Sequence, residues 1–132
     1  YVDDDPMWLG LLSEMFREIL GSEEDIATVL TGSQALHMVR RESYDIVLCD
    51  LKLCDMSGYE VIEQMREISP ETVVAAITGS HELDSRVRAR SAGAAHFLLK
   101  PVTLDQLAEL VDKVALATDA SRSYNEAQAA SA

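Results

Sequence analysis

Four short apolar stretches in this 132-residue chain each run into side chains able to do chemistry. Ile46-Val47-Leu48-Cys49 ends at Asp50, Val2 precedes Asp3-Asp4-Asp5, Val73 to Ile77 precedes Thr78, and Phe97-Leu98-Leu99 precedes Lys100-Pro101. Apolar runs of this length are what buried parallel strands look like, and ligands of open α/β sheets sit beyond the carboxyl ends of the strands. Four such ends meeting at one pole bring an acid cluster, a lone acid, a hydroxyl and an ammonium together. Converging carboxylates of Asp3, Asp4 and Asp50 repel and raise one another's pKa unless a cation joins them. Mg²⁺ suits this donor set, since it takes one or two carboxylates together with water and phosphate oxygens. Beside such an ion Asp50 becomes a nucleophile able to form an acyl phosphate. Phosphoryl transfer then asks mainly for positioning and for positive charge around the transferred oxygens, which the ion, Lys100 and the Thr78 hydroxyl would supply.

The elements that must carry these residues alternate regularly. Trp8, Leu11, Leu12, Met15, Phe16, Ile19 and Leu20 recur at three and four, predicting a helix from Pro6. Asp5 would cap it, Pro6 suits its first turn and Gly21 ends it. Ile26 to Leu30 is β-rich, and Ser33 is expected to cap a helix with Leu36, Val39 and Met38 inward. After the Asp50 strand, Gly58 leads into a helix with Val61, Ile62, Met65 and Ile68 on one stripe, closed by Ser69-Pro70. A helix over 82–92 has only Leu83 and Val87 as large apolar residues among Arg86, Arg88 and Arg90, so loose packing is expected. Ala95 to Leu99 makes a strand, and Thr103 caps a last helix bearing Leu104, Leu107, Leu110, Val111 and Val114. Five alternations of strand and helix predict an α/β fold with a parallel sheet covered on both faces. Only Tyr1 and Val2 precede the acid triplet, against about 5 residues for an ordinary strand, so the first strand is expected to begin upstream of Tyr1.

Composition sets bounds. The length fits one domain, 1–117, and the polar Ala/Ser-rich residues 118–132 read as a helix end or linker. A net charge of -12 argues against nucleic acid or an anionic membrane as direct partner, leaving any DNA binding to another domain. No apolar run approaches the roughly 20 residues that span a bilayer, which predicts a cytoplasmic protein. Cys49 and Cys54 have neither redox nor zinc spacing, and His37, His81 and His96 have no metal-ligand spacing.

Acid cluster, lone acid, hydroxyl and lysine in this order resemble the receiver domain of two-component response regulators. Asp50 lies eight residues before Gly58, Thr78 lies twenty-two before Lys100, and Pro101 follows Lys100. The resemblance implies a three-layer αβα, flavodoxin-like doubly wound five-stranded parallel sheet of order 2-1-3-4-5. It makes Asp50 the phosphoacceptor, with Thr78 and Lys100 at the phosphoryl group. Asp3, Asp4, Asp50 and the Lys52 backbone carbonyl are the implied Mg²⁺ ligands. Thr78 and Phe97 fall at the switch positions, Lys52 and Ser80 at positions that influence phosphoryl lifetime, and Pro101 is the candidate for a cis peptide. The implied donor is a phosphohistidine on a sensor histidine kinase or phosphotransfer protein. The implied output is a changed surface over the helix at 82–92, the Phe97 strand and the last helix, used in a homodimer or by an effector domain beyond Ala132. Two departures stand out: Cys54 occupies a position that is commonly proline, and Phe97 lacks a hydroxyl. A haloacid-dehalogenase-type phosphatase would also use a strand-end Asp and Mg²⁺, but wants a second acid where Lys52 stands. A pseudo-receiver that only binds a partner would have lost an acid, the Thr or the Lys.

Overall fold

The computed structural model describes residues 1–21, 26–79 and 83–116. Three parallel strands form ladders: β1 (Ile46–Asp50), β2 (Val73–Thr78) and β3 (His96–Leu99), in that order. Ile46 to Asp50 pair with Val73 to Ile77, and Ala75 to Thr78 pair with His96 to Leu99. Two extended segments join this sheet through single bridges, with Val2 lying parallel to both Cys49 and Val29. The Val2 amide donates to the Leu48 carbonyl at 2.8 Å, the Asp50 amide to Val2 at 2.9 Å, and the Asp3 amide to Val29 at 3.2 Å. Across the sheet the five segments therefore run second, first, third, fourth, fifth, which is the doubly wound, flavodoxin-like order. The first segment joins the sheet through these bridges rather than through a ladder.

Side chains alternate along a strand, and the sheet sorts its core accordingly. Val47, Cys49, Val74 and Ala76 face one layer; Leu48, Ala75 and Ile77 face the other. The first face is covered by α2 (Gly32–Arg41), α3 (Gly58–Ile68) and α4 (Leu83–Ala92) through Leu36, Val39, Val61, Ile62, Met65, Ala89 and Ala92. The second is covered by α1 (Pro6–Leu20) and α5 (104–116) through Leu12, Phe16, Leu107, Leu110 and Val114. Leu12, Leu48, Ile62, Ile77 and Leu107 are fully buried, and each such side chain is worth about 1.5–3 kcal/mol relative to exposure.

Local chemistry sets the helix ends. The Asp5 carboxylate accepts from the Met7 amide at 2.9 Å to open α1, and Gly21, with φ of 73°, closes it in the left-handed conformation that glycine tolerates. Thr103 and Gln106 cap α5 reciprocally, each side chain accepting from the other's amide, at 3.2 and 3.0 Å.

Three local expectations change. The N-cap of α2 is Thr31, whose hydroxyl accepts from the Gln34 amide at 3.1 Å, not Ser33, which lies inside the helix. In α1, Leu9 takes an inward place while Leu11 and Leu20 are exposed. In α4, Val87 points to solvent, and the helix packs through Ser85, Ala89 and Ala92. Small residues let α4 approach the sheet closely, so a count of large apolar residues misses its inner face. Residues 118–132 and His81 lie outside the described residues.

Candidate functional site

β1, β2, β3 and the segment at Val2 end at the same edge of the sheet, and each delivers one polar group there. Asp50 is the last residue of β1 and Thr78 the last of β2. Asp3 follows the bridged Val2, and Lys100 follows β3. Asp3, Asp50 and Thr78 are buried, whereas Asp4 is exposed. The Lys100 ammonium bridges the two buried acids, 2.7 Å from Asp3 Oδ2 and 3.0 Å from Asp50 Oδ2. The other Asp50 oxygen, Oδ1, accepts from the Lys52 amide at 3.0 Å. Asp3 also accepts from the Tyr1 hydroxyl at 2.5 Å and, through Oδ1, from the Asp5 amide at 3.0 Å.

These contacts separate the two buried acids electrostatically. Burial pushes the Asp3 carboxyl upward, but hydrogen bonds from Lys100, Tyr1 and the Asp5 amide outweigh it and hold Asp3 below the usual carboxylate range. Burial dominates at Asp50 and raises it, against the Lys52 amide and Lys100, with the Asp3 charge adding to the rise. Burial works against the Lys100 charge too, yet its bonds to Asp3 and Asp50 lift its pKa above the usual lysine value. Asp3 is thus the firmly ionised anchor, and Asp50 is the acid that gains most from added positive charge.

Asp3, Asp4 and Asp50 offer carboxylate oxygens that all lie within 4.8 Å of one another. Three negative charges against the single positive charge of Lys100 leave a surplus of two, and hard oxygen donors with that surplus fit a hard divalent cation.

The loop after Asp50 folds back tightly. Lys52 and Ser57 form a bridge, and the Gly58 amide donates to the Leu51 carbonyl at 3.1 Å. A Cβ at Gly58 would collide with the Asp50 carbonyl oxygen and lie 2.5 Å from Leu51 Cα, so the eight-residue spacing reflects a close backbone approach. From the tip of this loop, Asp55 reaches the N-terminus of α2: its carboxylate accepts from the amides of Gly32 and Ser33 at 2.9 and 3.0 Å and from the Ser33 hydroxyl at 2.8 Å. With Thr31 on the Gln34 amide, the first three N–H groups of α2 all have side-chain acceptors.

The structure brings Asp3, Asp4, Asp50, the Lys52 amide and Lys100 together. Thr78 stands beside them at the end of β2, where its carbonyl accepts from the Lys100 amide at 2.8 Å. Phe97 lies further down β3, paired with Ala76 and on the same face of the sheet as Thr78. The Arg86 guanidinium sits 5.4 Å over its ring, and a cavity of about 220 Å³ between α4 and β3 opens beside it. The Lys100–Pro101 peptide is cis. Ser80 lies outside the described residues. His37 is exposed, and His96 is half-buried, its pKa lowered by burial and the charge of Lys113. Two contributors escaped the sequence analysis. Asp55 acts across 23 residues of chain, which no local pattern announces, and Trp8, taken there as a core residue, lies with its ring 5.0 Å from the Lys100 ammonium.

Comparison with known proteins gives a consistent result. The family model described as the response regulator receiver domain matches residues 1–112. The response regulator protein PilR of Pseudomonas aeruginosa is 36% identical over 111 residues, covering 83% of this chain and 24% of its own length. The transcriptional regulatory protein ZraR of Salmonella typhimurium is 30% identical over 112 residues, covering 85% and 25%. Among solved structures, the BeF3-activated receiver domain of DrrB from Thermotoga maritima matches with a TM-score of 0.76 at 33% identity, covering 86% of this chain and 92% of that one. The chain spans about a quarter of the length of these curated relatives.

Proposed function

This chain belongs to the response regulator receiver family, the phosphoacceptor signalling domains of two-component systems, and we propose that Asp50 is its acceptor. The observation that carries this is the placement of Asp50: buried at a strand end, held by the Lys52 amide on one oxygen and Lys100 on the other, beside Asp3 and Asp4. In the step proposed, one Asp50 oxygen forms a bond to phosphorus as the bond from phosphorus to a donor histidine nitrogen breaks. The electron pair returns to that nitrogen, which leaves as neutral imidazole when the other ring nitrogen carries a proton. Asp3, Asp4, Asp50 and the Lys52 carbonyl would hold Mg²⁺, which when bound supplies positive charge to the phosphoryl oxygens. Lys100 moves its hydrogen bond from Asp50 to a phosphoryl oxygen, and the Thr78 hydroxyl donates to another phosphoryl oxygen. Lys52, which is exposed, slows hydrolysis, its ammonium either reaching the phosphoryl group or obstructing the attacking water.

Drawing Thr78 towards the phosphoryl group frees space on the face it shares with Phe97. The Phe97 ring fills that space, and α4 moves with it. Shifting such an equilibrium from 1:99 to 99:1 takes about 5.5 kcal/mol, more than one charged hydrogen bond at ~1.5–3 kcal/mol provides. Lys100 and the bound ion must share the work, and an inactive population persists after phosphorylation. The donor is a sensor histidine kinase or phosphotransfer protein, which places the domain in the cytoplasm; among the described residues no helix is long and apolar enough to cross a membrane. Because the curated relatives are about four times longer, the output is assigned to an effector domain elsewhere in the parent protein or to a homodimer through α4, β3 and α5. The test is intact-mass spectrometry with acetyl phosphate. One phosphoryl group should add only with Mg²⁺ present and be lost in Asp50→Asn; persistent single labelling of that variant sinks the assignment.

A further inference from the structure

Building on Asp50 as acceptor, we propose that Trp8 is a positioning residue for Lys100, its indole face holding the ammonium at the site while Asp50 takes up the phosphoryl group. Trp8 sits in the first turn of α1, directly after the acid cluster, half-buried against the layer that α1 and α5 form. The Lys100 ammonium lies 5.0 Å from the centroid of its ring, inside the ~6 Å reach of a cation–π contact. The Lys100 side chain is only 9% exposed, so little water screens that contact. Among the described residues its remaining side-chain partners are the carboxylates of Asp3 and Asp50.

A lysine is a point charge on a flexible four-carbon stem. When an Asp50 oxygen bonds to phosphorus, the Lys100 contact with that carboxylate must be exchanged. The contacts with Asp3 and with the Trp8 ring do not involve Asp50 and persist through the exchange. Asp3, however, is shared with the site that would hold a divalent cation, so its hold on Lys100 weakens when the ion binds. The indole face is then the one contact untouched by either event. An aliphatic side chain would keep apolar contact there without the negative ring face that attracts the ammonium.

The experiment measures the initial rate of phosphorylation by acetyl phosphate at saturating Mg²⁺, in wild type, Trp8→Phe and Trp8→Leu. In this assay an Asp50 oxygen bonds to phosphorus and acetate leaves with the electron pair of the broken P–O bond. Trp8→Leu should be slower by about three- to tenfold, and Trp8→Phe should recover the rate to within about twofold, because it retains an aromatic face. Equal rates in Trp8→Leu and wild type overturn the proposal, as does a loss that Trp8→Phe shares in full, since that is a packing defect. A wild type that takes up no phosphoryl group overturns instead the acceptor assignment. Trp8 is the sole tryptophan, so a second measurement needs no Trp8 variant: its emission should change in intensity or wavelength in Lys100→Met, and an unchanged spectrum also overturns the proposal.

Discussion

Asp55→Ala should destabilise the domain although Asp55 is exposed and lies outside the site. The substitution removes one carboxylate that accepts from two amides and one hydroxyl at the start of α2, at 2.8 to 3.0 Å. Losing a helix N-cap costs about 0.5–2 kcal/mol. Two observations bound the value here: three charge-assisted bonds place it high in that range, while solvent exposure and the remaining Thr31 cap pull it down. About 1 kcal/mol is therefore expected, which lowers the urea midpoint by about 0.5 M for a slope near 2 kcal/mol/M and Tm by about 4 °C. The effect carries a pH signature. Hydrogen bonds from Gly32, first among its contacts, and from Ser33 hold the Asp55 carboxyl below its ordinary value. A depressed carboxyl contributes stability that is complete above the unfolded pKa of about 3.9 and is lost as pH falls through the lower folded value. The gap between wild type and Asp55→Ala should be constant from pH 7 to about 5 and narrow below about 4. Urea unfolding at several pH values measures it. A variant as stable as wild type at pH 7, or a gap that widens in acid, refutes the account of Asp55 as a cap.

The other predictions concern the site and the thiols. Lys52→Asn should shorten the half-life of the phosphorylated form, followed by loss of the added mass after donor removal; an unchanged half-life removes Lys52 from the mechanism. In amide NMR with beryllofluoride as phosphoryl mimic, the largest shifts outside the site should fall on α4 and β3 and shrink in Thr78→Ala. Shifts centred on α1 and α3 that survive Thr78→Ala would disprove the coupling of Thr78 to Phe97. Burial pushes the Cys49 thiol up to about 12, whereas Cys54 is exposed. A thiol reagent at pH 8 should therefore label one cysteine in the native protein and two in denaturant, because only the thiolate reacts; rapid labelling of both without denaturant contradicts that burial.

The chain itself determined the parts that depend on neighbours in sequence. Apolar runs ending at Asp50, Thr78 and Lys100 mark strand ends because burial demands unbroken hydrophobicity and the sheet edge does not. The helices follow from their three-and-four spacing, and caps such as Asp5 and Thr103 act within a few residues of their targets. The cap of α2 is Thr31 rather than Ser33 because α2 begins where Asp55 can satisfy the next two amides, and Asp55 is supplied by another loop. Only the tertiary structure decided that. It likewise decided that α4 turns Ser85, Ala89 and Ala92 inward, because close approach to the sheet favours small side chains over Val87. It decided that Gly58 is required by the Asp50 carbonyl, and that the ring over the Lys100 ammonium is Trp8, 92 positions away. Contacts of this kind join segments that approach only when the sheet closes, and distance along the chain carries no record of them.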